Sequence, residues 1–207
     1  MNKSKLKQAE KAFLKKYPGG FNHPNLVGLG KKHKMEQMIE LAQESFKKTR
    51  FKNTQIITEQ MVKIVSRASM VSMFEKPKFR DMVAASSVGE LSILSDGLRM
   101  FLHGNQKKGF EQQLEVLKRY KLAKWSLITI IPNYYYPHDE VFVKPTTAKS
   151  VIDYFELQNL TYKPQPSWEF YQHYRNIILE MRALVDPVIA PNNAAFGGFL
   201  MMNMGTY

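Results

Sequence analysis

The chain has no cysteine among its 207 residues. This absence excludes disulfide bonds, thiolate zinc sites, iron–sulfur clusters and a cysteine nucleophile. It is compatible with a cytoplasmic protein of bacterial or phage type, because structural disulfides are rare in that compartment. The chain also lacks an apolar run near the roughly 20 residues that span a bilayer, and its first residues lack the apolar segment of a secretory signal. We therefore expect a cytoplasmic protein without a membrane span.

Motifs for metals and cofactors are lacking as well. The sequence has no GxxxxGK[ST] phosphate loop and no GxSxG nucleophile elbow. The five histidines are scattered along the chain: His23, His33, His103, His138 and His173. No two of them have the three- or four-residue spacing of a ligand pair on one helix. We expect no bound metal and no cofactor.

Acidic residues are scarce relative to basic ones. There are 18 Asp and Glu against 30 Lys and Arg, for a net charge of +12. Residues 1–53 hold 13 basic and 4 acidic residues, so this first quarter of the chain carries +9 of that excess. A basic segment of this kind attracts polyanions and speeds their encounter with the protein. The charge constrains the partner of the protein and says nothing about its fold.

Apolar residues at helical spacing predict a mainly α protein. We expect a single domain over residues 1–207, built of about seven to eight helices, with a basic segment at 1–53 and a helical core at 54–207. Ser87 with Glu90 has the spacing of a capping box, and Ser167 is suited to cap a later helix. That later helix carries an aromatic stripe, which favours the core over a ligand site. The stripe consists of Trp168, Tyr171 and Tyr174.

Two segments lack helical spacing. Residues 124–131 (KWSLITII) and 140–144 (EVFVK) are short and rich in β-branched residues, and prolines bound them. This pattern predicts short strands that could pair as one small β-hairpin within residues 124–144. Pro77 is expected to interrupt the helical pattern around it, because it biases the preceding residue away from the helical region.

The stretch Leu26–Val27–Gly28–Leu29–Gly30 resembles the hairpin turn of helix-hairpin-helix DNA-binding modules. In such a turn, the resemblance implies, Gly28 and Gly30 let the backbone approach a phosphate, and the following helix presents free N–H groups to it. Three lysines would add positive charge there: Lys31, Lys32 and Lys34. The alternative is an ordinary glycine bend before an amphipathic helix, which is the more common meaning of a glycine pair.

Lysines also fill one side of the first predicted helix. Six lysines could follow a nucleic-acid backbone, namely Lys3, Lys5, Lys7, Lys11, Lys15 and Lys16. We expect Lys7, Lys11 and Lys15 to be binding residues. An anionic membrane surface is a second reading, but the segment has no Trp and no broad apolar face. The third reading is a solubilising surface, since lysine-rich faces are common.

The segment PNYYYPHDEVFVKP, residues 132–145, gathers aromatic and charged residues. Tyr135 could stack on an unpaired base while Lys144 binds a phosphate. His138 beside two carboxylates is a weak candidate for a catalytic general base, because its ordinary pKa lies near neutrality. The alternative is a loop packed by its own aromatic rings.

These features favour a non-enzymatic nucleic-acid-binding protein, with DNA and RNA not distinguished. One alternative is a small metal-independent enzyme that processes nucleic acid through His138. Another is a protein–protein interaction or accessory factor, since the 12 methionines would suit an adaptable surface. An enzyme is less favoured than a binding protein, because no catalytic signature is present.

Overall fold

The protein is mainly helical in the part that a computed structural model describes, which is residues 1–204 without the side chains of Leu29 and Lys32. The helices of this part, in chain order, are α1 (Lys3–Lys16), α2 (Pro24–His33), α3 (Met35–Ser45), α4 (Thr54–Arg67), α5 (Glu75–Ala85), α6 (Val88–His103), α7 (Gln106–Arg119), α8 (Trp125–Tyr135), α9 (Pro145–Tyr154), α10 (Trp168–Ala183) and α11 (Asn193–Asn203). Residues 1–204 contain no strand. The mainly α class and the single domain are confirmed.

Side-chain caps begin many of these helices. The predicted capping box is present, since Ser87 Oγ accepts from the Glu90 backbone N–H and Glu90 accepts from the Ser87 backbone N–H. Ser167 caps α10 as predicted, by accepting from the Phe170 N–H. Asparagines cap four further helices, at positions Asn2, Asn53, Asn105 and Asn192. Each cap satisfies a backbone donor that the helix itself leaves unpaired.

The predicted hairpin does not form, because residues 125–135 are α8. All ten residues from Trp125 to Tyr134 are buried, and a helix buried on every side has no polar face to mark its period. Residues 140–144 form neither helix nor strand, and a side chain rather than a partner strand bonds the Val143 backbone N–H. Thr129 Oγ1 accepts from the Val143 N–H at 3.0 Å, and it donates to the Trp125 carbonyl at 2.7 Å.

Two further helices were not predicted from the sequence. Pro77 is the third residue of α5, where the missing N–H would have had no helical partner in any case. Proline is therefore accommodated in this helix rather than ending it. Residues 24–33 form α2, with Pro24 at its first position and the His23 ring capping the Asn25 N–H.

One apolar core joins the whole domain. Helix α8 lies at its centre and packs against α3, α4, α6 and α7. The aromatic stripe of α10 is buried as predicted: Trp168 is 7%, Tyr171 0% and Tyr174 3% exposed.

Within residues 1–204, no helix combines the length and the apolar content needed to cross a membrane.

Helices α6 and α7 approach each other closely at two glycines. A Cβ added to Gly109 would meet the Phe101 backbone nitrogen and lie 2.5 Å from the Gly97 carbonyl oxygen. A Cβ added to Gly97 would lie 3.0 Å from the Gln113 backbone nitrogen. Neither backbone can yield without separating the two helices, so glycine is required at this crossing.

We predict that Gly109→Ala destabilises the protein by about 2 kcal/mol or more, because the added methyl group overpacks the α6–α7 contact. Gly28→Ala is the matched control. Gly28 is exposed on α2 and has nothing within 4 Å of an added Cβ, so alanine should raise the free energy of unfolding by about 0.5–1 kcal/mol through helix propensity. Urea unfolding followed by circular dichroism measures both. Equal stability of Gly109→Ala and the wild type would contradict the close packing.

Candidate functional site

Four exposed lysines lie along one face of α1. Lys3, Lys7, Lys11 and Lys15 are each four residues apart. Steps of four on a helix keep them within about 120° of one another over about 18 Å. We call this set the α1 lysine face. All four are among the lysines that the sequence indicates as able to follow a nucleic-acid backbone.

The opposite side of α1 attaches the helix to the body of the protein. Leu6, Ala9 and Phe13 are buried, and the Phe13 ring centroid lies 5.2 Å from that of Phe199 in α11. The helix therefore presents a fixed row of cations instead of a flexible basic tail. A row fixed in this way loses little backbone entropy when it binds a partner.

Carboxylates neutralise little of the α1 lysine face. In the described part of the chain, Lys7 is its one member with an ion pair, at 2.6 Å from Glu10. Glu10 is itself nearly buried, and its other oxygen accepts from the Asp186 N–H at 2.7 Å. Lys5 lies off the face and pairs with Glu156 at 2.7 Å, and the hydrogen bond from Lys5 lowers the pKa of Glu156.

The glycine stretch does not form the turn expected from its resemblance to helix-hairpin-helix modules. Gly28 and Gly30 lie inside α2 and are exposed, so their N–H groups belong to a continuous helix and not to an open loop. The burial of Leu26, which is 4% exposed, favours this helix, and it offsets the cost of about 1 kcal/mol for each helical glycine. Lys31 and Lys34 are exposed. The side chain of Lys32 falls outside the described residues.

Tyr135 and Lys144 belong to other elements than α1, namely the last residue of α8 and the residue before α9. The Tyr135 ring packs on His103 with 5.3 Å between centroids, and its carbonyl accepts from Gln43 Nε2 at 3.1 Å. Burial, with a smaller effect of Tyr136, raises the pKa of Tyr135. Lys144 is exposed at the start of α9. Among residues 1–204, no hydrogen bond, ion pair or ring contact joins Tyr135 or Lys144 to the α1 lysine face, and their role in binding stays a prediction.

His138 is held by Arg182. The Nη2 atom of Arg182 lies 3.0 Å from His138 Nδ1, and because a guanidinium can only donate, Nδ1 is the acceptor. Arg182 also donates to the carbonyl of His138 and to Asn193 Oδ1, at 2.9 and 3.0 Å. A general base needs a free lone pair. This geometry therefore favours a structural role for the exposed His138 ring.

A buried ionic network was not foreseen from the sequence. Glu140 is 2% exposed, and its Oε1 accepts from Arg175 Nη1 and from Gln106 Nε2, both at 2.7 Å. Its Oε2 accepts from the Tyr171 hydroxyl at 2.6 Å. Burial first, and the charge of Glu140 second, raise the pKa of Tyr171 well above its usual value. The partners lie 31 to 35 residues away in the chain, so no local pattern could signal them.

This network lies at the wall of an open cleft of about 560 Å³. Its polar lining is Lys48, His103, Gln106, Tyr136, Asp139 and Glu140. Most of these groups already have partners in the protein. His103 Nε2 donates to the Phe46 carbonyl at 2.8 Å, and the Tyr136 hydroxyl donates to the Leu102 carbonyl at 3.0 Å. The exposed Lys48 and Asp139 are what remains for a ligand, which is too little to define one.

Comparison of the chain with protein-family models, with curated proteins and with solved structures finds no match. The function is therefore argued from the charges and contacts of the chain itself. Of the surfaces described above, the α1 lysine face has the clearest chemical character.

We predict that Tyr171→Phe lowers the free energy of unfolding, whereas Tyr134→Phe leaves it unchanged or raises it. Tyr171→Phe leaves a buried oxygen of Glu140 without its donor and should cost about 1.5–3 kcal/mol of unfolding free energy. The Tyr134 hydroxyl is buried and has no hydrogen-bond partner within the described residues, so its removal should be neutral or stabilise the protein by about 1 kcal/mol. Urea unfolding measures both. An equal loss in the two variants would mean that the Glu140 hydrogen bond contributes nothing of its own.

Proposed function

We propose that the protein binds nucleic acid, without catalysis, through the α1 lysine face. The observation that carries this proposal is the row of Lys3, Lys7, Lys11 and Lys15, exposed on one side of a helix whose other side is buried. Duplex DNA carries one negative charge per about 1.7 Å of its axis. Cations about 6 Å apart along a helix of about 18 Å can each reach a phosphate.

Further positive charge adjoins this row. Lys16 is exposed beside it, and α2 begins next to the end of α1, where the rings of Tyr17 and His23 lie 5.6 Å apart. Helix α2 contributes the exposed Lys31 and Lys34. The net charge of +12 favours encounter with a polyanion over long range. These contacts are to phosphates and carry no sequence information, so we expect binding without strong sequence preference.

A membrane surface is a poorer partner for α1. A helix that binds in the plane of a bilayer needs an exposed apolar face to insert. The apolar face of α1 is occupied, because Leu6 and Phe13 are 0% and 3% exposed in the core. A nucleic-acid-binding role is compatible with a cytoplasmic location in a bacterial or phage-infected cell, where nucleic acid is accessible.

Fluorescence anisotropy with labelled duplex DNA, single-stranded DNA and RNA, at increasing salt, tests the proposal. The test variant replaces Lys3, Lys7, Lys11 and Lys15 with Gln. Each lost phosphate contact lowers the log–log salt slope by about 0.9 on duplex DNA. We therefore expect the slope to fall by about 3 units or more, and the affinity at low salt to fall by orders of magnitude.

The matched control removes the same charge elsewhere. It replaces four exposed lysines outside α1 with Gln: Lys118, Lys124, Lys149 and Lys163. We expect this variant to keep most of the affinity and of the slope. An equal loss of affinity in both variants would mean that net charge, and not the α1 lysine face, determines binding. No binding by the wild type at low salt would show that the proposed function is wrong.

A further inference from the structure

Two large apolar side chains project into water between α4 and α5. Met73 and Phe74 are consecutive, and each is 74% exposed. Leaving such side chains in water forgoes a large share of the stabilisation that their burial would provide. The neighbouring Val71 is only 3% exposed, so the exposure is confined to this pair. We call Met73 and Phe74 the apolar tip.

Local hydrogen bonds hold the apolar tip in place. The Phe74 N–H donates to Ser72 Oγ at 3.3 Å, and the Glu75 N–H donates to the Ser72 carbonyl at 3.0 Å. Helix α5 begins at the next residue. The tip is therefore a structured projection, and binding through it would cost little backbone ordering.

Positively charged residues flank the apolar tip along the chain. Arg67 and Lys78 are exposed, and Lys76 is half-exposed. The carboxylate of Glu75 is directed into the protein, where Ser126 Oγ donates to it at 2.5 Å. Asp81 is engaged with Arg80 at 2.9 Å. The segment from Arg67 to Lys78 therefore carries three cations next to an apolar pair in the chain, while the nearby carboxylates already have partners.

A second helix adds to this charge. The His33 ring lies 2.7 Å from Ser69 Oγ, which brings the end of α2 to the connection that carries the apolar tip. The exposed Lys31 and Lys34 flank His33 in the chain. Glu36, near the start of α3, is the carboxylate closest to them in sequence.

We propose that the apolar tip is a docking site for an anionic lipid bilayer. Met73 and Phe74 insert at the boundary between headgroups and acyl chains, and the flanking cations bind the headgroups. Apolar insertion combined with attraction to anionic lipid is the general basis of peripheral membrane binding. A nucleic acid fits the tip less well. Bases stack on flat aromatic rings, and Met73 has no such ring to offer.

Vesicle sedimentation tests this proposal. We expect the protein to sediment with vesicles of equal parts phosphatidylcholine and phosphatidylglycerol, and weakly or not at all with phosphatidylcholine alone. Joint replacement of Met73 and Phe74 with Ser should weaken binding about tenfold or more, because the inserted apolar area is lost. Val88→Ser is the matched control, since Val88 is 84% exposed at the start of α6. It should bind as the wild type does. Equal loss in this control, or no sedimentation of the wild type, would overturn the proposal.

Phe74→Trp supplies a direct signal of insertion. The native Trp125 and Trp168 are 1% and 7% exposed, so a third, exposed tryptophan would dominate any change in emission. We expect a blue shift with anionic vesicles. Quenching by a single-stranded oligonucleotide without a vesicle effect would instead assign the tip to nucleic acid. A dimer that dissociates on replacement of Met73 and Phe74 would assign the tip to a second copy of the chain. Either result overturns lipid docking.

The two binding proposals can be tested independently of each other. The variant with four Gln residues on α1 should still bind anionic vesicles, and the variant with Ser at positions 73 and 74 should still bind oligonucleotides with unchanged affinity. Loss of vesicle binding in the α1 variant, as large as the loss in the tip variant, would contradict docking through the tip. Failure of oligonucleotide binding alone would leave the lipid proposal intact.

Discussion

The burial of α8 is the constraint on which the rest of the structure depends. Its residues from Trp125 to Tyr134 are buried without a gap, so the helix must be covered on all sides. Helices α3, α4, α6 and α7 pack against it, and the Phe170 ring of α10 lies 5.0 Å from the ring of Trp125. Close covering is possible because small residues occur where backbones must approach, as at Gly97 and Gly109 between α6 and α7. The outer helices complete the domain around this inner group.

Two arginines of α10 provide hydrogen-bond partners for the segment that follows α8. The segment between α8 and α9 is irregular and includes the buried Glu140, Val141 and Val143, whose polar groups need partners. Arg175 and Arg182 are seven residues apart, which places them on one side of α10 about 10 Å from each other. Arg175 binds the carboxylate of Glu140, and Arg182 binds the ring and the carbonyl of His138. His138, the weak catalytic candidate from the sequence, thus contributes to holding the segment between α8 and α9.

The surface, by contrast, has the two regions for which we propose binding. The α1 lysine face is a row of cations with one carboxylate beside it, and the apolar tip is a hydrophobic pair flanked by cations in the chain. Helix α2 runs between the α1 lysine face and the apolar tip. It begins beside Tyr17 at the end of α1 and ends beside Ser69 in the connection that carries the tip. The two regions differ in what they can bind because one lacks exposed apolar groups and the other is built around them.

Much of the helical fold could be predicted from the sequence, because amphipathic helices mark both their faces and their ends. Leu6, Phe13 and the stripe of α10 show their burial by spacing, and Ser87 and Ser167 show where helices begin. The lysine row on α1 could also be predicted from the sequence, since the helical period places side chains four residues apart on one face. A fully buried helix such as α8 has no such period, so its β-branched residues suggested a strand instead.

What the sequence by itself determined is therefore the class of the fold, most helix positions and the charge of the first 53 residues. The tertiary structure alone decided that Gly28 and Gly30 lie inside a helix, that Glu140 pairs with Arg175, and that Met73 and Phe74 stay uncovered. The physical reason is the range of the interactions. Helix periodicity and capping act within a few residues, whereas burial and ion pairing join residues that lie tens of positions apart.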